Sequence, residues 1–479
     1  MRIFSGWTNN SNKYPAVILS FIVSATLCLI PVIFPRFLNN ISYEALNLAA
    51  IFLLTLTFWV TEILPIAVTA LLAIILLPLL QVTDTREAFT AFMSPVFFFV
   101  IAMYIIAGVI KEVGLDKRFA LFLLAKAGTR STHVLFAMML GTALLSSIMS
   151  DVPACAIFMA IGIGILNKAR VVPGQSQFGK ALMMGIPIAA LIGGIATPAG
   201  SSINVLALDL FASFSEQHQL DIQISFLQWM ALGVPMVIIL LPLAWWVLLR
   251  CYPPEFDTVG SVNDNKAELQ VLGSLSNKEW KTLVIIVTMM ALWVAGSWFK
   301  QLNVSIVALA GAIIMFMPGI QLISWEKAER HIGWDTLLMI GGVTALGRAS
   351  IETGLAEWLV QSTMGGIMSW PLFWVIPMIS LLTVLIHLPL PIAPVVNVVL
   401  IPPIAILAMS MDINPVLLVL PVAFTASCAF LLPLDAVPLL TFSKGYYRIF
   451  DMLLPGIIIS LAWIVMMTIL ILSLVPLLY

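Results

Sequence analysis

The feature that constrains this chain most is a succession of long apolar runs, separated by short polar stretches and almost free of charge inside. A helix that crosses the hydrocarbon core of a bilayer needs about 20 such residues. Candidate spans are Ala16–Phe34, Ala45–Glu62, Leu64–Leu80, Phe97–Ile110, His133–Leu166, Ala181–Leu208, Phe226–Leu249, Thr282–Trp298, Val304–Met317, Thr336–Leu346, Pro371–Met409, Val416–Leu440 and Met452–Leu478. Of 479 residues, 61% are apolar and 9% charged, where soluble domains carry about 25% charge. Mean hydropathy is +1.10. No soluble fold of this length hides so much apolar surface, because roughly a quarter of the unfolded surface stays exposed. A soluble enzyme, a nucleic-acid partner and a disordered scaffold are excluded. The expected class is an all-α polytopic membrane protein.

Several spans are not plain crossings. Phe97–Ile110 and Thr336–Leu346 read as too short. His133–Leu166 and Pro371–Met409 are long and interrupted by proline, and Ala181–Leu208 and Val416–Leu440 are broken by Gly or Pro. Interrupted helices at membrane depth are tolerated only where they face protein or a water-filled cavity. The oddities come in pairs on either side of a polar stretch, Gly260–Glu279, which reads as a linker. Lys111-Glu112-Val113-Gly114-Leu115 is answered by Ile351-Glu352-Thr353-Gly354-Leu355. Paired interrupted segments in two halves are the sequence mark of a transporter site at a repeat interface.

Met1–Tyr14 is polar, and the first apolar run lacks a cleavage signature, so it is expected to stay as a first helix. Arg2 and Lys13 put this N-terminus in the cytoplasm. Lys111, Lys117, Arg118, Lys126 and Arg130 form one basic stretch, and Lys168, Arg170 and Lys180 another. Both are cytoplasmic only if the segment between them crosses twice or re-enters. The four cysteines show no metal spacing and no disulfide framework. There is no HExxH pair, no nucleophile elbow and no Walker-type phosphate loop. No enzymatic role, cofactor or resident metal is expected, and energy for transport has to come from an ion gradient or from exchange.

The first broken segment holds Ser146-Ser147-Ile148-Met149-Ser150-Asp151-Val152-Pro153. Proline frees a carbonyl one turn back. With serine hydroxyls and a carboxylate, that is a hard-oxygen set for a small cation, and a carboxylate within an apolar run is a functional candidate. Ser146, Ser150 and Asp151 are therefore candidate ligands of a sodium ion or proton. The second broken segment runs from Gly193 through Gly200-Ser201-Ser202-Ile203-Asn204. A half-helix starting near Ser201 would turn free N–H groups toward an anion. In the second half, His387 is followed by Pro389, Pro391 and Pro394, and Asp435 sits between Pro433 and Pro438. His387 is either a proton-handling group paired with Asp435 or a satisfied core histidine; Asp435 is alternatively a cation ligand.

These residues resemble the divalent anion–sodium symporter family over most of the chain. Trp59-Val60-Thr61-Glu62-Ile63-Leu64-Pro65 is similar to an early family stretch. Ser94-Pro95 through Gly114-Leu115-Asp116-Lys117-Arg118 resembles its first re-entrant hairpin and interfacial helix, and Trp334-Asp335-Thr336, Gly341-Gly342 and Thr353-Gly354-Leu355 resemble the second. The resemblance implies eleven transmembrane helices, two re-entrant hairpins, inverted repeats, a homodimer and an elevator movement of a transport domain past a scaffold. It divides the chain into scaffold helices (1–85), a first repeat with hairpin and broken helix (86–250), a linker (251–281), further scaffold helices (282–326) and a second repeat (327–479).

In the family, two Ser-Asn-Thr motifs at the hairpin tips bind sodium and substrate carboxylates. Ser150-Asp151-Val152 stands at the first and Ala393-Pro394-Val395 at the second, while Ala436-Val437-Pro438-Leu439 replaces a Thr-Pro-Pro-Asn segment. The resemblance thus assigns Gly200, Ser201, Ser202, Asn204, Pro394, Val395 and Ala436 to the substrate, and Ser146, Ser150, Asp151, Gly200 and Asp435 to the coupling ion. Two motif Asn and two motif Thr side chains are absent. At about 4 Å and a dielectric near 20, an ionised Asp151 beside an anion costs about 4 kcal/mol, so a cation or a proton must neutralise it. The expectation is a secondary active transporter of small anions, with a dicarboxylate or sulfate as family default, in a bacterial plasma membrane. Alternatives are a cation–proton antiporter, a metalloid-anion exporter of related fold, or a membrane receptor without transport.

Overall fold

The computed structural model describes residues 41–259, 269–299 and 301–478, with Ile18, Phe21 and Val23. The rest of the expected span Ala16–Phe34, the polar N-terminus and residues 260–268 of the expected linker lie outside the described residues. Among those described there are twenty α-helices and no β-sheet.

Two helices come first, α1 (Tyr43–Thr61) and α2 (Ile66–Leu79). Then follow α3 (Thr85–Phe92), α4 (Pro95–Val113), α5 (Leu115–Ala127), the hairpin α6 (Ser131–Met149) and α7 (Asp151–Lys168), and the broken pair α8 (Gln177–Gly194) and α9 (Ser202–Gln217). After α10 (Phe226–Cys251), α11 (Asn277–Ala295) and α12 (Val304–Ile314), the order returns. It runs α13 (Trp325–Glu329), α14 (Trp334–Glu352), α15 (Leu355–Thr363), a second hairpin α16 (Leu372–Ile386) and α17 (Ala393–Ser410), and a broken pair α18 (Val416–Thr425) and α19 (Ala436–Phe442). The chain ends in α20 (Leu453–Leu478). Gly114 (φ 78°) starts α5 and Gly354 (φ 75°) starts α15. Both corners need a left-handed residue, which glycine supplies without steric cost. Among the described residues, eight helical stretches are long and apolar enough to cross a membrane, and four more apolar helices are shorter. The fold is that of a polytopic membrane protein.

Three expectations are corrected. The runs Phe97–Ile110 and Thr336–Leu346 are not short helices: α4 and α14 each have 19 residues. Their backbone hydrogen bonding continues through Lys111, Glu112, Arg348 and Glu352, where the apolar composition stops. The stretch from Ser94 to Arg118 is not a hairpin; α4 runs unbroken into the Gly114 corner. The hairpins are α6–α7 and α16–α17, turning at Ser150 and over residues 387–392. Pro153 and Pro394 do not break these segments either. Each lies in the first turn of the returning helix, where a missing N–H costs nothing.

The chain forms two compact units, each drawing on both repeats. One comprises Met1–Phe98, Leu206–Gln223 and Gly333–Ala426; the other Phe99–Val205, Ile224–Ile332 and Ser427–Tyr479. In the first, α14 packs on α2, α3 and α17. In the second, α8 packs against α6, α7 and α10 and is buried at nearly every position, as expected of a helix apolar all round. Arg118 on α5 fastens the far end of the linker. It donates to Glu279 at 2.6 and 3.2 Å and to the carbonyls of Leu272, Gly273 and Ser274.

The α6–α8 contact depends on bare backbone. A Cβ on Gly193 would lie 2.2 Å from the Ala143 carbonyl oxygen, and no rotamer change relieves a clash with main chain. Gly193→Ala is expected to destabilise the protein by about 1–3 kcal/mol, read as a lower unfolding midpoint of the detergent-solubilised chain. An unchanged midpoint would contradict this packing.

Candidate functional site

Ser150 turns the first hairpin with φ 87° and ψ 149°, a region almost reserved for glycine. A non-glycine residue held there costs about 1–3 kcal/mol and persists only when its surroundings enforce it. The enforcement is local. The Ser150 hydroxyl donates to Asp151 Oδ1 at 3.1 Å, and the Val152 N–H donates to the same oxygen at 2.9 Å. Asp151 opens α7, so its carboxylate lies at the positive end of the helix dipole. The other oxygen, Oδ2, accepts from the Ser201 hydroxyl at 3.2 Å. Asp151 is 5% exposed and Ser201 1%.

Ser201 belongs to the break between α8 and α9. After Gly194 the chain makes a single 3₁₀ turn, Pro198–Gly200, and α9 begins at Ser202. Thr197 Oγ1 donates to the Ser147 carbonyl at 2.7 Å, tying this break to the hairpin. Asn204 Nδ2 donates to the carbonyls of Gly194 (2.8 Å) and Thr197 (3.0 Å), and its Oδ1, fully buried, has no hydrogen-bond partner. Trp229 Nε1 donates to the Ile195 carbonyl at 2.9 Å. A Cβ on Gly200 would meet the Gly194 oxygen at 2.4 Å and the Ser146 oxygen at 3.1 Å. Gly200 therefore brings three strands of backbone together. The Ser146 hydroxyl donates to the Ala190 carbonyl at 2.7 Å.

Seven expected residues thus converge in one unit: Ser146, Ser150, Asp151, Gly200, Ser201, Ser202 and Asn204. The same unit holds Asp435 and Ala436. Asp435 Oδ1 accepts from the Val437 N–H at 3.1 Å and caps α19. This short helix packs on α7 and α8, and the Cys155 thiol donates to the Val437 carbonyl at 3.6 Å. His387, Pro394 and Val395 belong to the other unit. His387 caps the end of α16, and its Nε2 donates to the Ala426 carbonyl at 2.7 Å; Nδ1 has no hydrogen-bond partner. Pro394 and Val395 are buried in the first turn of α17.

The sequence reading did not single out Thr197, Gly194 or the Val152 N–H. Thr197 was visible beside Pro198, but its partner Ser147 lies fifty residues away. Among the described residues, no three of His, Cys, Asp and Glu group as a metal site.

A helical bundle with two discontinuous helices, and a buried carboxylate held at one of the breaks, fits a secondary active transporter. The family model for the sodium:sulfate symporter transmembrane region matches residues 11–479, and the chain belongs to that family. The sodium-dependent dicarboxylate transporter SdcS of Staphylococcus saprophyticus is 28% identical over 465 residues, covering 91% of this chain and 88% of that protein. SdcS of Staphylococcus aureus is 27% identical over 450 residues, covering 88% and 84%. Among solved structures, the Alcanivorax borkumensis YdaH transporter shares the fold, with a TM-score of 0.55 at 13% identity, covering 81% of this chain and 88% of its own. The chain is a secondary active transporter of small anions and not an enzyme.

Ser150 separates backbone strain from side-chain chemistry. Ser150→Gly is expected to match or exceed the native stability, because glycine relieves the strained φ. Ser150→Ala keeps the strain, loses the bond to Asp151 and is expected to be less stable by about 1 kcal/mol. Unfolding midpoints of the two variants in detergent check the order, and an alanine variant more stable than the glycine one would refute it.

Proposed function

We propose that the chain couples anion movement to a cation bound at the first hairpin tip, with sodium as that cation. Ser146, Ser150, Asp151 and Gly200 are its ligands, through hydroxyl, carboxylate and carbonyl oxygens, and Asp435 serves the same role from α19. The anion rests on Ser201, Ser202 and Asn204 at the start of α9, where N–H groups and the helix dipole favour negative charge. Ala436, in the same unit, offers it apolar contact. The observation that carries this reading is the Asp151 carboxylate, 5% exposed and held by three donors from both broken segments. A cation between Asp151 and the anion replaces a repulsion of about 4 kcal/mol at 4 Å by two attractions, which makes anion binding depend on the cation. The sodium-dependent relatives support sodium. We further propose a homodimer in a bacterial plasma membrane with an elevator movement, and His387, bonded to the Ala426 carbonyl, as a satisfied core histidine and not a proton-handling group.

Sodium binding can be read without knowing the anion. Thermal unfolding of the purified protein is measured in sodium and in choline. A cation that binds the native state at 100 times its dissociation constant stabilises it by about 2.7 kcal/mol. Sodium is expected to raise the midpoint of the wild type, and Asp151→Asn and Asp435→Asn are expected to lose most of that rise. If both variants keep it, the carboxylates do not bind the ion. If acidification raises the midpoint and sodium does not, the coupling ion is a proton.

A further inference from the structure

The outer face of α10 changes character in one direction. Ile239 and Trp246 lie seven residues apart and Arg250 follows one turn later, so the three share a face of the helix. All three are exposed. The order is apolar, amphipathic ring, cation, over about 16 Å of helix axis. A bilayer presents hydrocarbon, interface and headgroups in the same order; tryptophan settles at the interface, and arginine reaches past it. The Arg250 guanidinium lies over the Trp246 ring at 5.4 Å, within the range of a cation–π contact.

Helix α5 repeats the arrangement. Lys126 follows Phe122 by one turn, and its Nζ lies 4.5 Å from the centre of that ring. Phe122 is 44% exposed and Trp246 49%. In both pairs the cation rests on an aromatic ring that the protein itself leaves uncovered.

The two pairs belong to the same compact unit and to the same end of it. Trp245 Nε1 donates to the Thr132 carbonyl at 2.9 Å, and its ring meets that of Phe136 edge-on at 5.3 Å, which fastens α10 to the start of α6. Beyond α10 the chain returns to the loop between α5 and α6. Arg130 and Thr258 form an antiparallel bridge there, flanked by bonds from the Ser131 N–H to the Asp257 carbonyl (2.9 Å) and from the Val259 N–H to the Thr129 carbonyl (2.7 Å). Arg130 is exposed on this loop and adds a third cation.

Among the described residues, none of Lys126, Arg130 and Arg250 is ion-paired with a carboxylate. Nearby carboxylates are engaged elsewhere. Glu255 accepts from the Phe178 N–H at 2.9 Å and from the Ser176 hydroxyl, and Asp451 pairs with Lys180 at 2.9 Å. Asp257, exposed next to the Arg130 bridge, offsets one of the three charges.

We infer that this end of the unit binds an anionic phospholipid, with the headgroup on Lys126, Arg130 and Arg250 and the acyl chains along the face of α10 that carries Ile239 and Trp246. A zwitterionic headgroup brings its own ammonium and gains little from these cations. Each cation beside an anionic lipid surface contributes about fivefold in binding. An acidic soluble protein would meet the same cations, but the uncovered Phe122 and Trp246 rings and the apolar face of α10 continue from them into hydrocarbon, where a lipid follows and a soluble protein does not.

Native mass spectrometry of the purified full-length chain in detergent counts the phospholipid bound. Dioleoylphosphatidylglycerol is expected to bind at least about tenfold more tightly than dioleoylphosphatidylcholine, a difference of about 1.4 kcal/mol. The combined variant Lys126→Gln, Arg130→Gln and Arg250→Gln is expected to bring the two lipids within about twofold. Arg250→Gln alone serves if that variant does not fold, with an expected loss of about fivefold in phosphatidylglycerol affinity. A control of equal charge change, Lys168→Gln, Arg170→Gln and Lys444→Gln, removes exposed cations elsewhere on the same unit and is expected to keep the preference. Equal binding of the two lipids by the wild type overturns the inference. So does a control that loses as much as the test variant, because the attraction is then diffuse. Glycerol 3-phosphate that displaces the lipid at a comparable concentration also overturns it, because the site then holds a free phosphate and not a lipid.

Discussion

Breaking a helix inside a bilayer frees backbone groups that lipid cannot solvate, and each needs a partner from the protein. The site of this transporter follows from that constraint. Where α8 ends, the Asn204 amide takes the carbonyls of Gly194 and Thr197, and the Trp229 indole takes that of Ile195. Where α18 ends, the His387 imidazole takes the Ala426 carbonyl. Where α7 begins, the Asp151 carboxylate takes the Val152 N–H. The polar side chains that mark the breaks therefore close them first, and only their remaining valences are left over. Asn204 Oδ1 and His387 Nδ1 are two such remainders. A polar residue within an apolar run is accordingly poor evidence of ligand contact until its backbone duties are subtracted.

Much of the architecture was legible in the chain. The polytopic class followed from composition, because no other fold hides so much apolar surface. The repeat was readable at Gly114 and Gly354, since a left-handed corner between a long helix and a short one needs the same residue twice. The segments containing the breaks were readable as well, because proline and glycine punctuate them. The exact points of breakage were not. Proline both interrupts a helix and begins one, and Pro153 and Pro394 do the second. The first hairpin turns instead at Ser150, whose unusual φ has no local sequence signal.

The candidate site was legible as residue types and not as contacts. Ser201 and Asp151 were each conspicuous, but their bond spans fifty residues and exists because Thr197 pins one break to the other. Helix lengths failed for a related reason. Apolar composition ends at Lys111 and at Arg348, while the helical backbone runs on to Val113 and Glu352. Composition reports what a helix touches, and hydrogen bonding decides where it stops.

The two hairpin turns differ in chemistry. The first places a hydroxyl, a carboxylate and a strained backbone within two residues, Ser150 and Asp151. The second carries prolines and aliphatic groups and bonds the N–H groups of Leu388, Leu390 and Ile392 within the hairpin. Burial strengthens the interactions of the first turn, because a charge contact that is worth about 1 kcal/mol in water at 4 Å is worth about 4 at a dielectric near 20, so the buried Asp151 carboxylate responds strongly to any charge placed beside it.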